Sequence, residues 1–325
     1  MSKMQQCARF TLMACMVVFS GAWAAAAPNY SFLSVASPGD PAFTQLLGIN
    51  NASTIAGYFG DGNVVPNNGF TLVLPNSYTM ENFPGAAQTQ VIGINNTGWT
   101  AGFYVDGAGV THGFTYNGSF TAVDAPGTAF NQLLGINDGG TGVGYSSTDG
   151  TGATLQMSFK ESGGTFTYIG GFPGGTQNNQ AVGINGAGTA VGFYEDSGGN
   201  FHGYIAAGTT ASTFDVSFAG AMDTQAFGIN NHGEIVGDYV DSGGTMHGFV
   251  YLGGVFYTVD DPNGVPGSTV INGLNDKGQL VGFYADANDN TIGFVATPTP
   301  EPATLGVLGC GMLAGVGFVR RRLLR

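Results

Sequence analysis

Gln225-Ala226-Phe227-Gly228-Ile229-Asn230-Asn231-His232-Gly233-Glu234-Ile235-Val236-Gly237-Asp238-Tyr239-Val240 reads as a strand, a tight turn and a second strand, and this arrangement recurs along the chain. A Gly-Ile/Leu-Asn triplet begins at Gly48, Gly93, Gly135, Gly183, Gly228 and Gly273. A second glycine follows each at a fixed distance, at Gly57, Gly102, Gly144, Gly192, Gly237 and Gly282. The period of roughly 45 residues fits propeller blades better than ankyrin or leucine-rich units.

Downstream of that stretch the fifth unit alternates turn and strand twice more. Asp241-Ser242-Gly243-Gly244 turns, His247–Tyr251 extends, Leu252-Gly253-Gly254 turns, and Phe256–Val259 extends. Apolar residues recur with period two between turn residues, which predicts four short antiparallel strands per unit and no helix. Asn, Asp and Gly supply the positive φ that hairpins need. The expected fold is all-β, a six-bladed β-propeller of four-stranded antiparallel blades, with a C-terminal transmembrane helix.

Unit six ends after its third strand, Ile292-Gly293-Phe294-Val295. The missing fourth-strand pattern, Phe followed six residues later by Pro, stands at Phe32 to Pro38, ahead of unit one. The N-terminal strand is therefore expected to close the ring and remove its open edges. The first strand of each unit should then be innermost. One face collects Asp61, Asp106, Asp124, Asp196, Asp241, Asp260, Asp261 and Asp286, and the other holds mostly Asn-Gly turns. Gly113, Gly203, Gly248 and Gly293 are expected near the axis, and Tyr104, Tyr194, Tyr239 and Tyr284 between blades.

The ends carry addresses. Lys3 and Arg9, an apolar run from Phe10 to Trp23, and Ala24 to Ala27 make residues 1–27 a secretory signal. The repeat domain spans 28–297 and a linker 298–302. Residues 303–325 supply an apolar helix and a basic tail. The uncharged part, Ala303 to Val319, would reach roughly 26 Å as a helix, the short limit for spanning a bilayer. Arg320, Arg321 and Arg322 would hold its end in the cytoplasm.

Pro300-Glu301-Pro302, the apolar stretch and the terminal arginines together resemble the PEP-CTERM sorting signal of Gram-negative bacteria. The resemblance implies recognition by a membrane exosortase, processing, and release to the cell surface or exopolysaccharide matrix. The repeats, with His112-Gly113-Phe114, His202-Gly203-Tyr204 and His247-Gly248-Phe249, resemble the bacterial extracellular repeats named for His-Ala-Phe, although glycine replaces alanine and units one, three and six lack the histidine. That resemblance implies surface location and names no reaction.

Between residues 28 and 299 the only cations are Lys160 and Lys277, against 20 of the chain's 21 acidic residues, a formal charge of −18. Such a surface repels nucleic acid and anionic lipid, and leaves neutral sugars, cationic groups and divalent ions as partners. Cys7, Cys15 and Cys310 all lie in the end segments, so the body has no thiol chemistry.

A catalytic site on a ring must break the repeat, and the sequence shows no Ser-His-Asp order, no phosphate-binding loop and no Cys-His pair. His112, His202 and His247 are repeat positions, read as strand residues bonded to nearby loops. Asp286-Ala287-Asn288-Asp289-Asn290 imitates the start of a calcium loop without its central glycine or distal glutamate. Asp106, Asp196, Asp241 and Asp286 form the candidate ligand face, with weak calcium binding the one cofactor expectation. The sequence thus predicts a non-enzymatic surface or matrix scaffold contacting polysaccharide. A glycan hydrolase or lyase at the channel mouth is the alternative, recognisable by clustered carboxylates that break the repeat.

Overall fold

The computed structural model describes residues 27–174 and 178–299. The signal segment apart from Ala27, the Pro300-Glu301-Pro302 motif and the apolar helix of 303–325 lie outside the described residues.

Among the described residues twenty-four strands form six four-stranded antiparallel sheets, whose first strands begin at Thr44, Gln88, Phe130, Asn179, Met222 and Val270. Blade five consists of Met222–Ile229, Ile235–Val240, Met246–Leu252 and Val255–Thr258, close to its expected limits. In blade six the order is Val270–Leu274, Leu280–Ala285, Thr291–Pro298 and then Tyr30–Val35. The N-terminal strand thus closes the propeller, pairing Tyr30 with Pro298 through Val35 with Gly293.

Every first strand carries a bulge one residue before its Gly-Ile/Leu-Asn triplet. The triplet glycines are where inner strands of neighbouring blades meet. A Cβ on Gly48 would stand 2.7 Å from Ile92 O, and one on Gly135 2.6 Å from Val182 O. The third-strand glycines belong elsewhere than expected. A Cβ on Gly113 would stand 2.6 Å from Val123 O in the fourth strand, and one on Gly248 would meet Val259 O and the Ile271 side chain of blade six. These positions are small so that an outer strand and the next blade can approach, not because they line the axis.

Between blades lies an apolar layer. Phe70, Phe114, Phe159, Tyr204, Phe249 and Phe294 are fully buried at corresponding places, one per blade. The tyrosines expected between blades are there: Phe83 stacks on Tyr104 at 3.7 Å, Phe172 packs on Tyr194 and Phe218 on Tyr239, each phenylalanine coming from the segment that enters the blade. Aromatic pairs of this kind add to area burial.

A closed ring of asparagines ties the blades together at one end of the axis. The Nδ2 groups of Asn50, Asn95, Asn137, Asn185, Asn230 and Asn275 each donate to the backbone oxygen of the next asparagine, and Asn275 returns to Asn50, at 2.9–3.2 Å. Each Oδ1 also accepts two amides of its own turn, as Asn185 does from Ala187 N and Thr189 N. Asn185→Ala removes one bond between blades and strands two part-buried turn amides. The expected loss is about 3 kcal/mol, read as a lower urea midpoint at unchanged slope.

Candidate functional site

The axial channel is narrow. Its asparagine end is a cavity of about 70 Å3 and its other end one of about 90 Å3, both walled by the Gly-Ile/Leu-Asn strands. Each has room for a few water molecules. Among the described residues no carboxylate lines the glycine end. At the asparagine end Asp138 and Asp276 contribute, but Asp138 accepts from Asn96 through both oxygens, and Asp276 accepts from Asn51 and Asn231.

The four predicted acids of the opposite face all do the same local work. Asp106 Oδ1 accepts from Ala108 N and Val110 N, Asp196 from Gly198 N and Asn200 N, Asp241 from Gly243 N and Thr245 N, and Asp286 from Asn288 N and Asn290 N, at 2.8–3.0 Å. This is the self-capping for which Asp is favoured in turns. The bonds hold these carboxyls below the ordinary range. The Val110 and Thr245 amides act first on Asp106 and Asp241, and the Asn200 and Asn290 side chains first on Asp196 and Asp286. The calcium-like run at Asp286 is such a turn.

Three of these acids also meet a histidine. His112 Nδ1 lies 2.8 Å from Asp124 and its Nε2 3.5 Å from Asp106. His202 stands 2.8 Å from Asp215 and 3.4 Å from Asp196, and His247 2.7 Å from Asp260 and 3.5 Å from Asp241. Each ring stacks on the tyrosine opposite it in the sheet, Tyr104, Tyr194 or Tyr239, at 5.1–5.4 Å. Blade one holds a neutral counterpart, Asn82 Nδ2 donating to Asn68 Oδ1, while Met157 and Ile292 take the histidine's place in blades three and six. The histidines stay in separate blades. Among the described residues no three His, Cys, Asp or Glu side chains converge as metal ligands.

Burial opposes charging of His202 and His247, but the hydrogen bonds and charges of their paired aspartates outweigh it and raise both above the ordinary value of 6.5. A histidine raised in the folded state stabilises fully below its unfolded value, and that contribution fades as pH climbs through the folded one. The stability gap between the wild type and His247→Gln should therefore be widest below pH 6.5 and narrow above it, as checked by urea unfolding across that window.

A pocket of about 220 Å3 opens on this face between blades four and five. Asp196, Asn200, Phe201, His202 and Asp215 line it from blade four, Val216 and Ala221 from the segment leading into blade five, and Met222, Asp223 and Thr224 from that blade's first strand. Asp223 is the bulged residue of its strand, with φ 35°, and its Oδ1 accepts from Phe201 N at 2.8 Å. Behind it Asp238 is buried and accepts no hydrogen bond among the described residues. Desolvation, aided by the Asp223 charge, pushes its carboxyl up to about 7. In blades one and three the same two strand positions carry ring pairs, Phe43 with Tyr58 at 6.0 Å and Phe130 with Tyr145 at 5.6 Å.

No protein-family model matches the chain, and no curated protein is similar to it in sequence. Among solved structures it is similar to the six-bladed fungal lectin from Aleuria aurantia, at 13% identity over 85% of this chain and 97% of that one, TM-score 0.46. It is similar also to the β-propeller domain of the Trilobed protease from Pyrococcus furiosus, at 12% identity over 80% and 98%, TM-score 0.44. A third is YCF48 bound to D1 peptide, at 11% identity over 84% and 95%, TM-score 0.40. At these identities and scores the likenesses bear on neither ligand nor activity, and the fold rests on the strand order itself.

Asp215, Asp223 and Asp238 escape a reading of the sequence alone. Asp215 follows a fourth strand shortened to Ser212–Thr213, without the Phe-to-Pro spacing that flags Asp124 and Asp260. Asp223 and Asp238 declare themselves only when the six units are laid in register, where Asp238 stands against a ring in every other blade and Asp223 against a ring in blades one and three.

Proposed function

We propose that the chain is a non-enzymatic exported scaffold of a bacterial cell surface or extracellular matrix, whose acidic face contacts polysaccharide or another matrix component. Export would use residues 1–27, and an exosortase would recognise Pro300-Glu301-Pro302 with the tail held by Arg320, Arg321 and Arg322. The observation that carries this reading is the commitment of the repeated acids: Asp106, Asp196, Asp241 and Asp286 cap their own turns, and three of them also hold a histidine. Side chains fixed in this way present a rigid, repeated acceptor surface and no reactive group. Free lone pairs on the turn acids would hold calcium weakly, in the range of about 10⁻⁴ to 10⁻³ M.

The test is to titrate calcium and a panel of matrix polysaccharides into the closed ring, residues 27–299, following the melting temperature and polymer length together. A ligand of the folded state raises the melting temperature by mass action. A rise with a polysaccharide at constant polymer length is expected, and no rise with any of them contradicts the scaffold.

One observation favours the enzymatic alternative. Asp223 and Asp238 break the repeat, and a carboxyl raised to about 7 beside another acid is the arrangement from which general acids are made. Against it, Asp238 is not among the pocket's lining side chains. Shortening of the polymer, abolished by Asp238→Asn, would establish that reading. The same variant has a stability signature. A carboxyl raised in the folded state stabilises below its unfolded value, 3.8, and loses that contribution as pH rises to about 7. Asp238→Asn should therefore stabilise the protein at pH 8 and leave it little changed at pH 4, as followed by urea unfolding.

A further inference from the structure

We propose that the asparagine face of the propeller is the face turned to a lipid bilayer, so that the chain, held by its apolar tail, rests on these turns and points the acidic face outward. The inference rests on the export reading, through the uncharged stretch Ala303 to Val319 and the arginines that follow it.

The path of the chain decides which end lies near the membrane. In blade six the third strand runs back toward the asparagine turn, and Ala296 stands opposite Leu280, the first residue of the strand that leaves this turn. Pro298 lies against the turn, where a Cβ on Gly278 would stand 3.2 Å from Pro298 Cγ. Thr299 N donates to Asn29 O at 2.9 Å, so both ends of the body leave side by side at this face. From Thr299 to Ala303 the chain reaches at most roughly 14 Å. The second strand of blade six, Leu280–Ala285, is about 20 Å long and sets the acidic end that much farther off. A propeller resting on its acidic face would hold Thr299 beyond the reach of that tether.

Charge and side chains agree with the path. Four of the body's 20 acids, Asp138, Glu161, Glu234 and Asp276, stand at the asparagine end with both lysines, and the other 16 stand toward the acidic end with none. Lys277 is exposed in the turn beside Pro298, and Lys160 Nζ donates to Gly188 O in the asparagine turn of blade four. Anionic headgroups therefore repel the acidic face far more than this one. Trp99, 39% exposed, takes the turn position held by Thr54, Thr141, Thr189, Glu234 and Gln279 in the other blades. Val73 and Val255, each about half exposed, lie at the same end of blades one and five. An indole, apolar with one N–H, suits the headgroup level of a bilayer.

The experiment places residues 27–325, whose only tryptophan is Trp99, in vesicles of phosphatidylethanolamine and phosphatidylglycerol with and without a headgroup nitroxide that quenches tryptophan. Trp99 is expected to lose most of its fluorescence. In a Trp99→Phe background, Val64→Trp in the acidic-face loop of blade one should lose none, and Leu33→Trp on the outer strand of blade six should lose less than Trp99 does. A second measurement needs no substitution: vesicles should slow amide exchange in the asparagine turns at 95–99 and 275–279 and leave the capped turns at 106–110 and 241–245 unchanged. Stronger quenching of Val64→Trp would put the acidic face down, and stronger quenching of Leu33→Trp would stand the propeller on its rim. Either result overturns the inference, as does protection of the capped turns or a chain that does not float with the vesicles. No polysaccharide is present, so the contact made by the acidic face is decided separately by the melting-temperature titration.

Discussion

Removing residues 27–36 is expected to abolish the monomeric folded state. The deleted strand, Tyr30–Val35, is the outer strand of blade six, paired along its whole length with Thr291–Pro298. Its loss strips Phe32 from Phe294, which it meets at 5.6 Å, takes Val35 out of the core it shares with Leu46 and Phe70, and breaks the Ser34 hydroxyl bond to Tyr284. It also leaves the third strand of blade six as an unpaired edge, a template for pairing with another chain. Size-exclusion chromatography with light scattering should show aggregates or oligomers instead of a monomer. A peptide of residues 27–36 added in trans should restore part of the monomer. A truncated chain that stays monomeric and melts like the parent would contradict closure by this strand.

Gly192→Ala should cost about 4 kcal/mol or more. A Cβ there would overlap Gln180 O and come within 2.8–2.9 Å of the Tyr204 ring, which is fully buried. Neither neighbour can yield, since one is backbone of the adjacent inner strand and the other is packed between blades. The same overlap with a first-strand oxygen, three residues before the triplet, recurs at Gly57, Gly102, Gly144, Gly237 and Gly282, which is the physical reason for the second glycine of the repeat. Overpacking against fixed atoms belongs to the short list of severely destabilising changes. Gly150→Ala, where a Cβ meets nothing within 4 Å, should stay within about 0.5 kcal/mol of the parent. Urea unfolding of the pair checks both.

These glycines also show what the sequence could disclose. Blade number, strand number and closure are legible because Asn-x-x-Gly turns and alternating strands have few backbone solutions, and because unit six lacks a strand that stands spare at the N-terminus. The crowding of the face with Asp106, Asp196, Asp241 and Asp286 is legible too, whereas the amides that Asp106, Asp196 and Asp241 cap are seen only in the folded turns. The asparagine ring is less so: Asn185 looks like an ordinary turn residue until its Nδ2 is seen to reach Asn230 O of the next blade. Gly113 and Gly248 point to close packing, but strand order alone moves that packing from the axis to the outer strands. The pocket depends on which residues of different blades meet, and no periodicity within one unit reveals that His202 of blade four faces Asp223 of blade five.

The central claim is that the acidic face is the contact face. Amide hydrogen exchange on residues 27–299, with and without the polysaccharide that raises the melting temperature most, tests it directly. Slower exchange is predicted in the capped turns at 106–110, 196–200 and 241–245, with no change in the asparagine turns at 50–54, 95–99 and 230–234. Protection confined to the asparagine turns, or spread equally over both faces, would contradict it.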